Sequence, residues 1–148
     1  MKTIYTYIII LSLTFVSSSI FAQKHQKINN LVFPNGTILS SSDGTKVGKL
    51  VPASFDTRNL MVGVYLNQGN SNSSEMARIE SKLVTDGVRN VKVNSENGKI
   101  KKGDPITSSS TPGEGMKATE SGIILGIATE DATNGYVQVR ILIQYLKL

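Results

Sequence analysis

Tyr136-Val137-Gln138-Val139-Arg140-Ile141-Leu142-Ile143-Gln144-Tyr145 is the run that decides the class of this chain. Val137, Val139, Ile141, Ile143 and Tyr145 take every second position, and Gln138, Arg140 and Gln144 fall between them. Successive side chains of an extended backbone point to opposite faces, so this alternation predicts a half-buried strand. The five apolar residues form its expected core face, packed on Ile124 and Ile127 or their alternates.

Working outward, Asn134-Gly135 is a tight-turn signal, and Ile123-Ile124-Leu125-Gly126-Ile127-Ala128 is the expected hairpin partner. Asp86-Gly87 predicts a second hairpin, entered by Lys82–Thr85 and left by Val88–Val93. Leu31–Phe33, Thr37–Leu39, Leu60–Leu66 and Ile106–Thr107 read as further strands. Ser74 to Leu83 fits a helix capped by Ser74 or an extended run, and we read it as a strand from Ile79 onward. The fold class expected is all-β: a small compact β-barrel or sandwich of short strands and hairpins over residues 31–148, after a flexible lead-in at 23–30.

Two related β units are a further expectation. Gly36-Thr37-Ile38-Leu39-Ser40-Ser41-Ser42-Asp43-Gly44 resembles Gly103-Asp104-Pro105-Ile106-Thr107-Ser108-Ser109-Ser110. Each precedes an apolar run containing one glycine, Leu60-Met61-Val62-Gly63-Val64 and Ile123-Ile124-Leu125-Gly126-Ile127. The spacing between the two copies is not constant.

The chain has 148 residues, no cysteine, no tryptophan and one histidine, His25. That inventory excludes disulfides, thiolate metal sites and a cysteine nucleophile. It also speaks against a Ser-His-Asp triad, because His25 lies in the lead-in. The net charge of +5 could serve an anionic partner. However, Lys99, Lys101 and Lys102 are the only tight basic cluster, and no neighbouring aromatic could stack a base. Nucleic acid is therefore not an expected partner. Glu75, Glu80, Asp86, Glu114, Glu120, Glu130 and Asp131 show no calcium-loop spacing, and no metal or cofactor is expected.

Residues 1–22 read as a signal peptide. Lys2 is their only charge, Ile8–Val16 is a short apolar core, and Ser17-Ser18-Ser19-Ile20-Phe21-Ala22 ends on a small residue. This layout predicts export with cleavage after Ala22, and the core is short for a membrane span. The expected location is periplasmic, cell-surface or extracellular, with no membrane span after cleavage.

The most organised stretch is Val91-Lys92-Val93-Asn94-Ser95-Glu96-Asn97-Gly98-Lys99-Ile100-Lys101-Lys102-Gly103-Asp104-Pro105-Ile106-Thr107-Ser108-Ser109-Ser110-Thr111-Pro112-Gly113-Glu114-Gly115-Met116-Lys117-Ala118-Thr119. Gly98 and Gly103 suit turns that need positive φ, and Asp104 can close its turn by accepting a backbone N–H. Thr107 to Thr111 bring hydroxyls, and Pro112-Gly113 is a turn dipeptide. Met116 and Ala118 should point inward and Lys117 outward. Pro105 lacks a donor, which predicts an edge strand there; Asp104-Pro105 is also an acid-labile bond.

With Gly122 and Gly126-Ile127-Ala128, this pattern resembles the C-terminal β domain of bacterial surface proteins and phage tail-fibre-like proteins. That domain is related to intramolecular-chaperone autoproteolytic modules. The likeness spans about Val88 to Ala128. It departs from the family at Pro105, where a bulky apolar or aromatic residue is usual, and in lacking the long fibre region that usually precedes the domain.

The resemblance implies a non-enzymatic structural or adhesion module of the cell envelope or surface. Its partners would be other envelope or surface proteins or further copies of the chain. Two alternatives stand beside it. One is autoproteolysis by Ser108, Ser109 or Ser110 beside Asp104. The other is binding of carbohydrate or a cell-wall polymer through Phe33, Phe55, Tyr65, Tyr136 and Tyr145, although most of these fall on expected core faces.

Overall fold

The alternating run forms one long strand, Tyr136–Leu146, and the rest of the domain is assembled around it. The computed structural model describes residues 33–42, 49–66 and 83–148, all within the unit Phe33–Leu148. The export segment, the lead-in, Leu31 and Val32, and the helix-or-strand segment up to Lys82 lie outside the described residues.

The strands are β1 (Thr37–Ser41), β2 (Leu50–Pro52), β3 (Met61–Tyr65), β4 (Leu83–Val84), β5 (Gly87–Lys92), β6 (Pro105–Ser108), β7 (Gly115–Lys117), β8 (Gly122–Ala128) and β9 (Tyr136–Leu146). A 3-10 turn, Phe55–Leu60, leads into β3. The strands form two antiparallel sheets, one of four in the order β2-β1-β3-β4 and one of five in the order β5-β9-β8-β6-β7. The fold is therefore all-β, with two open sheets rather than a closed barrel. Ile38 and Val64 from the first sheet join Val91, Ile106, Leu125, Val137, Val139 and Ile141 from the second in one buried core.

Asp86-Gly87 does not turn a hairpin. Val84 pairs with Val64 in the first sheet, while Gly87 pairs with Ile141 in the second. The chain crosses between sheets at Thr85-Asp86, and Gly87, at φ +76°, starts the new direction. The local turn signal loses to two long-range ladders. These bury Val84 on β3 and Val91 against Val137, and they leave Val88 exposed.

Three smaller expectations also change. Phe33 lies in no strand; its ring meets that of Tyr65 edge-to-face at 5.5 Å. β6 is an inner strand between β8 and β7, not an edge. Pro105 is its first residue and contributes its carbonyl, which accepts the Ala118 N–H at 2.8 Å, so the missing donor costs little there. The core face of β9 fades beyond Ile141: Ile143 is half-buried and Tyr145 is 64% exposed. On β8 a register shift between Ile124 and Gly126 puts Leu125 and Ala128 in the shared core, with Ile127 half-buried.

The expected repeat is present as a repeated pattern of hydrogen bonds. Gly36 N–H donates to the Tyr65 carbonyl at 2.9 Å, and Gly103 N–H to that of Ala128 at 2.8 Å. Ala53 N–H reaches Ile38, as Ala118 N–H reaches Pro105, each at 2.8 Å. Ser42 N–H bonds to the Lys49 carbonyl at 3.0 Å, and Ser109 N–H to that of Glu114 at 2.9 Å. The order β2-β1-β3-β4 thus matches β7-β6-β8-β9. The drift in spacing arises in the connections: the one between Ser42 and Lys49 is longer than the one between Ser109 and Glu114.

Candidate functional site

The stretch from Val91 to Thr119 carries the hydroxyls and carboxylates that chemistry would need, and its turns set where they point. Gly98 and Gly103 sit at φ +94° and +90°. Gly98 N–H closes on the Ser95 carbonyl at 2.9 Å, and Asp104 N–H on that of Lys101 at 3.0 Å. Pro112-Gly113 occupies the middle of a turn closed by Glu114 N–H on Thr111 O at 3.1 Å, with Gly113 at φ +84°. Proline followed by a positive-φ glycine is the type II arrangement. Met116 and Ala118 are buried, and Lys117 turns outward to Asp104, as the alternation predicts.

Asp104 Oδ2 accepts the Lys101 N–H at 2.8 Å, and Oδ1 pairs with Lys117 Nζ at 2.9 Å. Partial burial pushes this carboxyl up. The Lys101 N–H and the Lys117 ammonium outweigh that and hold it below its usual 3.8. A carboxyl with a lowered folded-state pKa stabilises the fold above its unfolded value, and that stabilisation disappears as pH falls through the folded value. Asp104→Asn should therefore lower the melting temperature at neutral pH. The gap from wild type should close as pH drops below 3.8, the ordinary aspartate value, and on through the lower folded value. Melting curves across pH check this; a gap that stays constant into acid would contradict it.

The three serines part company. Ser108 is fully buried and its Oγ donates to the Ser54 carbonyl at 2.9 Å, tying β6 to the first unit. Ser109, also buried, donates to the Thr111 carbonyl at 3.1 Å and accepts from Asn94 Nδ2 at 2.9 Å. Ser110 is exposed, and both its N–H and Oγ bond to Glu96 Oε2, at 3.0 and 2.8 Å. Thr107 Oγ1 donates to the Ile123 carbonyl at 2.8 Å. Asp104 has no hydrogen bond to Ser108, Ser109 or Ser110.

The carboxylates near the serines are Glu96, bonded to Ser110, and Glu114, linked to the Ser109 hydroxyl through Asn94. Glu114 Oε1 pairs with Lys92 Nζ at 3.0 Å, and its Oε2 accepts from Asn94 Nδ2 at 3.1 Å. This gives a chain Lys92–Glu114–Asn94–Ser109. The hydrogen bond and charge of Glu114 raise the Lys92 pKa above 10.5, so the lysine is an ammonium ion and not a base. The Ser109 proton is committed to a carbonyl. Period-two alternation could have placed Lys92 and Asn94 on one face, but nothing local pointed to Glu114 across the β6–β7 hairpin.

An open cleft of about 470 Å³ lies beside this network, with Lys99, Lys101, Ile100 and Asp131 among its walls. Asp131 Oδ1 accepts the Lys102 N–H at 2.8 Å, which ties the basic turn to the β8–β9 connection. Of the aromatic residues, Tyr65 is buried. Phe55, Tyr136 and Tyr145 are exposed at 38%, 37% and 64%, contrary to the expectation that most face the core. Phe55 carries the Arg58 guanidinium over its ring at 3.8 Å, and Arg58 pairs with Glu120 at 3.1 Å.

Among the described residues no three His, Asp or Glu side chains group so as to hold a metal ion, and no helix is long and apolar enough to cross a membrane. No family model, no curated protein and no solved structure matches the chain.

Proposed function

We propose that the chain is an exported, non-enzymatic structural or adhesion module of the cell envelope or surface. The observation that carries this reading is the use made of the motif's polar atoms. Ser108 ties the two β units together, Ser109 and Asn94 brace the turn before β7, and Asp104 and Lys117 lock the entry to β6. These groups act as struts for a rigid scaffold. The signal-peptide-like start and the likeness to surface and tail-fibre-like domains point the same way.

Fractionation of the native host, with intact-mass measurement of the recovered protein, tests it. The chain should appear in the periplasmic, surface or medium fraction as a species beginning at Gln23, with no internal cleavage product. A cytosolic chain that still carries Lys2 would overturn export. A fragment cut within Asp104–Thr111 would overturn the non-enzymatic reading in favour of autoproteolysis.

A further inference from the structure

β9 is paired on one side from Val139 to Leu146 and on the other only from Tyr136 to Ile141. On the β8 side, pairing runs from Ala128↔Val139 to Gly122↔Leu146. On the β5 side it runs from Lys92↔Tyr136 to Gly87↔Ile141 and stops, because the chain before Gly87 belongs to the other sheet. Among the described residues nothing pairs with Leu142–Leu146 on that side. The segment contains no lysine or proline, and its one protection as a free edge is the bulge at its start, where Ile141 to Gln144 of β9 span Gly126 to Ile124 of β8. It reads Leu-Ile-Gln-Tyr-Leu, and Leu142 and Tyr145 are 56% and 64% exposed.

The repeat shows what kind of neighbour such a segment takes. Leu83 and Val84 pair with Tyr65 and Val64 as Val139 and Arg140 pair with Ala128 and Ile127. Counting on along the chain, β5 takes the sequence place of Ile143–Leu148, but it leaves β3 for β9, whereas Gln144–Leu146 stay paired with β8. In the first unit that half-strand lies antiparallel against β9. In the second unit the corresponding half is the open edge.

We infer that Leu142–Leu146 is a self-association edge, on which a second copy of this chain adds its own Leu142–Leu146 antiparallel across a two-fold axis at Gln144. The segment is self-complementary in that register. Leu142 faces Leu146 of the second copy, Ile143 faces Tyr145, and Gln144 faces Gln144. The overlap ends at Leu146, because Gly87 and Val88 of β5 already pair with Ile141 and Arg140 on that side, and Lys147 and Leu148 of the second copy turn away from them. An isologous contact of this kind closes at two copies and joins the five-stranded sheets into one. The overlap is short, so the dimer should be of the weak, transient class. The inference does not depend on export or adhesion.

Sedimentation velocity and light scattering on the purified protein, over a concentration series, provide the test. Three results are expected. The wild type shifts from monomer to dimer between micromolar and millimolar concentrations. Leu142→Lys, at an exposed position the monomer can tolerate, weakens the dimer by about tenfold or more and leaves the melting curve of the dilute protein unchanged. Gln144→Cys, in a chain with no other cysteine, forms a disulfide-linked dimer on mild oxidation, and Gln138→Cys does not. Residues directly opposite in an antiparallel pair have Cα atoms about 4.5–5.5 Å apart, which is within disulfide reach. A wild type that stays monomeric throughout, a dimer indifferent to Leu142→Lys, or a Gln144→Cys chain that fails to link would each overturn the inference.

Discussion

Gly126→Ala should prevent the five-stranded sheet from forming. A Cβ on Gly126 would lie 2.0 Å from the Arg140 carbonyl oxygen, 2.9 Å from its carbon and 3.1 Å from the Ile141 Cα. All three are backbone atoms of β9, so no side chain can swing aside. Gly126 also sits where the β8–β9 register shifts. Relief would require β8 and β9 to separate, and these strands carry Leu125, Val137, Val139 and Ile141 into the core. The loss belongs with the rare substitutions costing more than about 4–5 kcal/mol, against about 5–15 kcal/mol for a whole domain. Far-UV circular dichroism and amide dispersion by NMR should report a largely unfolded chain at room temperature. Gly122→Ala is the control on the same strand. Its nearest neighbour would be Arg58 Nε at 3.7 Å, an ordinary contact, so it should melt close to wild type. If Gly126→Ala melts like Gly122→Ala, the close approach of β9 is wrong.

Gly63 repeats this arrangement in the first unit. Its Cβ would meet the Val84 carbonyl oxygen at 2.5 Å, and its φ of +154° already disfavours a side chain. Gly63 lies in β3 as Gly126 lies in β8, and Val84 stands to β3 as Arg140 stands to β8. The glycine shared by the two apolar runs is therefore the point where the next strand passes closest. This explains why Val84 turns to β3 instead of folding back on Val88: the gap over Gly63 admits its backbone.

The contrast between what the residues announced and what they concealed follows the range of the interactions. β9 was readable because one face is buried and the other wet as far as Ile141, and that difference is written into every second residue up to there. The turns at Asn97-Gly98, Lys102-Gly103, Pro112-Gly113 and Asn134-Gly135 were readable because positive φ selects glycine or asparagine; Asn134 and Gly135 sit at φ +52° and +77°. Asp86-Gly87 carried the same signal, but a turn dipeptide does not say which sheet receives the next strand. The partners in the hydroxyl-rich motif were hidden for a related reason. Ser108 bonds to Ser54, and the Ser109 hydroxyl reaches the Glu114 carboxylate only through Asn94. Proximity along the chain favoured Asp104 as the serines' carboxylate, whereas the extended backbone of β6 carries Asp104 to the far end, to Lys101 and Lys117. The 3-10 turn Phe55–Leu60 has no buried residue, so no periodicity marked it.

Ile141→Ala should lower the melting temperature by about ten degrees or more, and Tyr145→Ala by little, although both residues belong to the same alternation. Ile141 is 4% exposed and lies in the core with Val137 and Val139. Truncating a buried isoleucine removes its transfer energy and leaves a cavity, together about 2–5 kcal/mol. For a domain near this size, each kcal/mol corresponds to about 4–8 °C. Tyr145 lies beyond the end of β5 and is 64% exposed, so its truncation exposes little new surface. Gln138→Ala, on the wet face, should stay within about 0.5 kcal/mol of wild type. Its backbone carbonyl, which accepts the Thr129 N–H at 2.8 Å, survives the change. The three melts are to be run at concentrations where light scattering finds a monomer, because association through Leu142–Leu146 would add a second reason for Tyr145 to matter. Under those conditions, equal losses at Ile141 and Gln138 would mean that the strand register is wrong. Equal losses at Ile141 and Tyr145 would mean that the core runs on past Ile141 to the end of β9, as the alternation alone suggests.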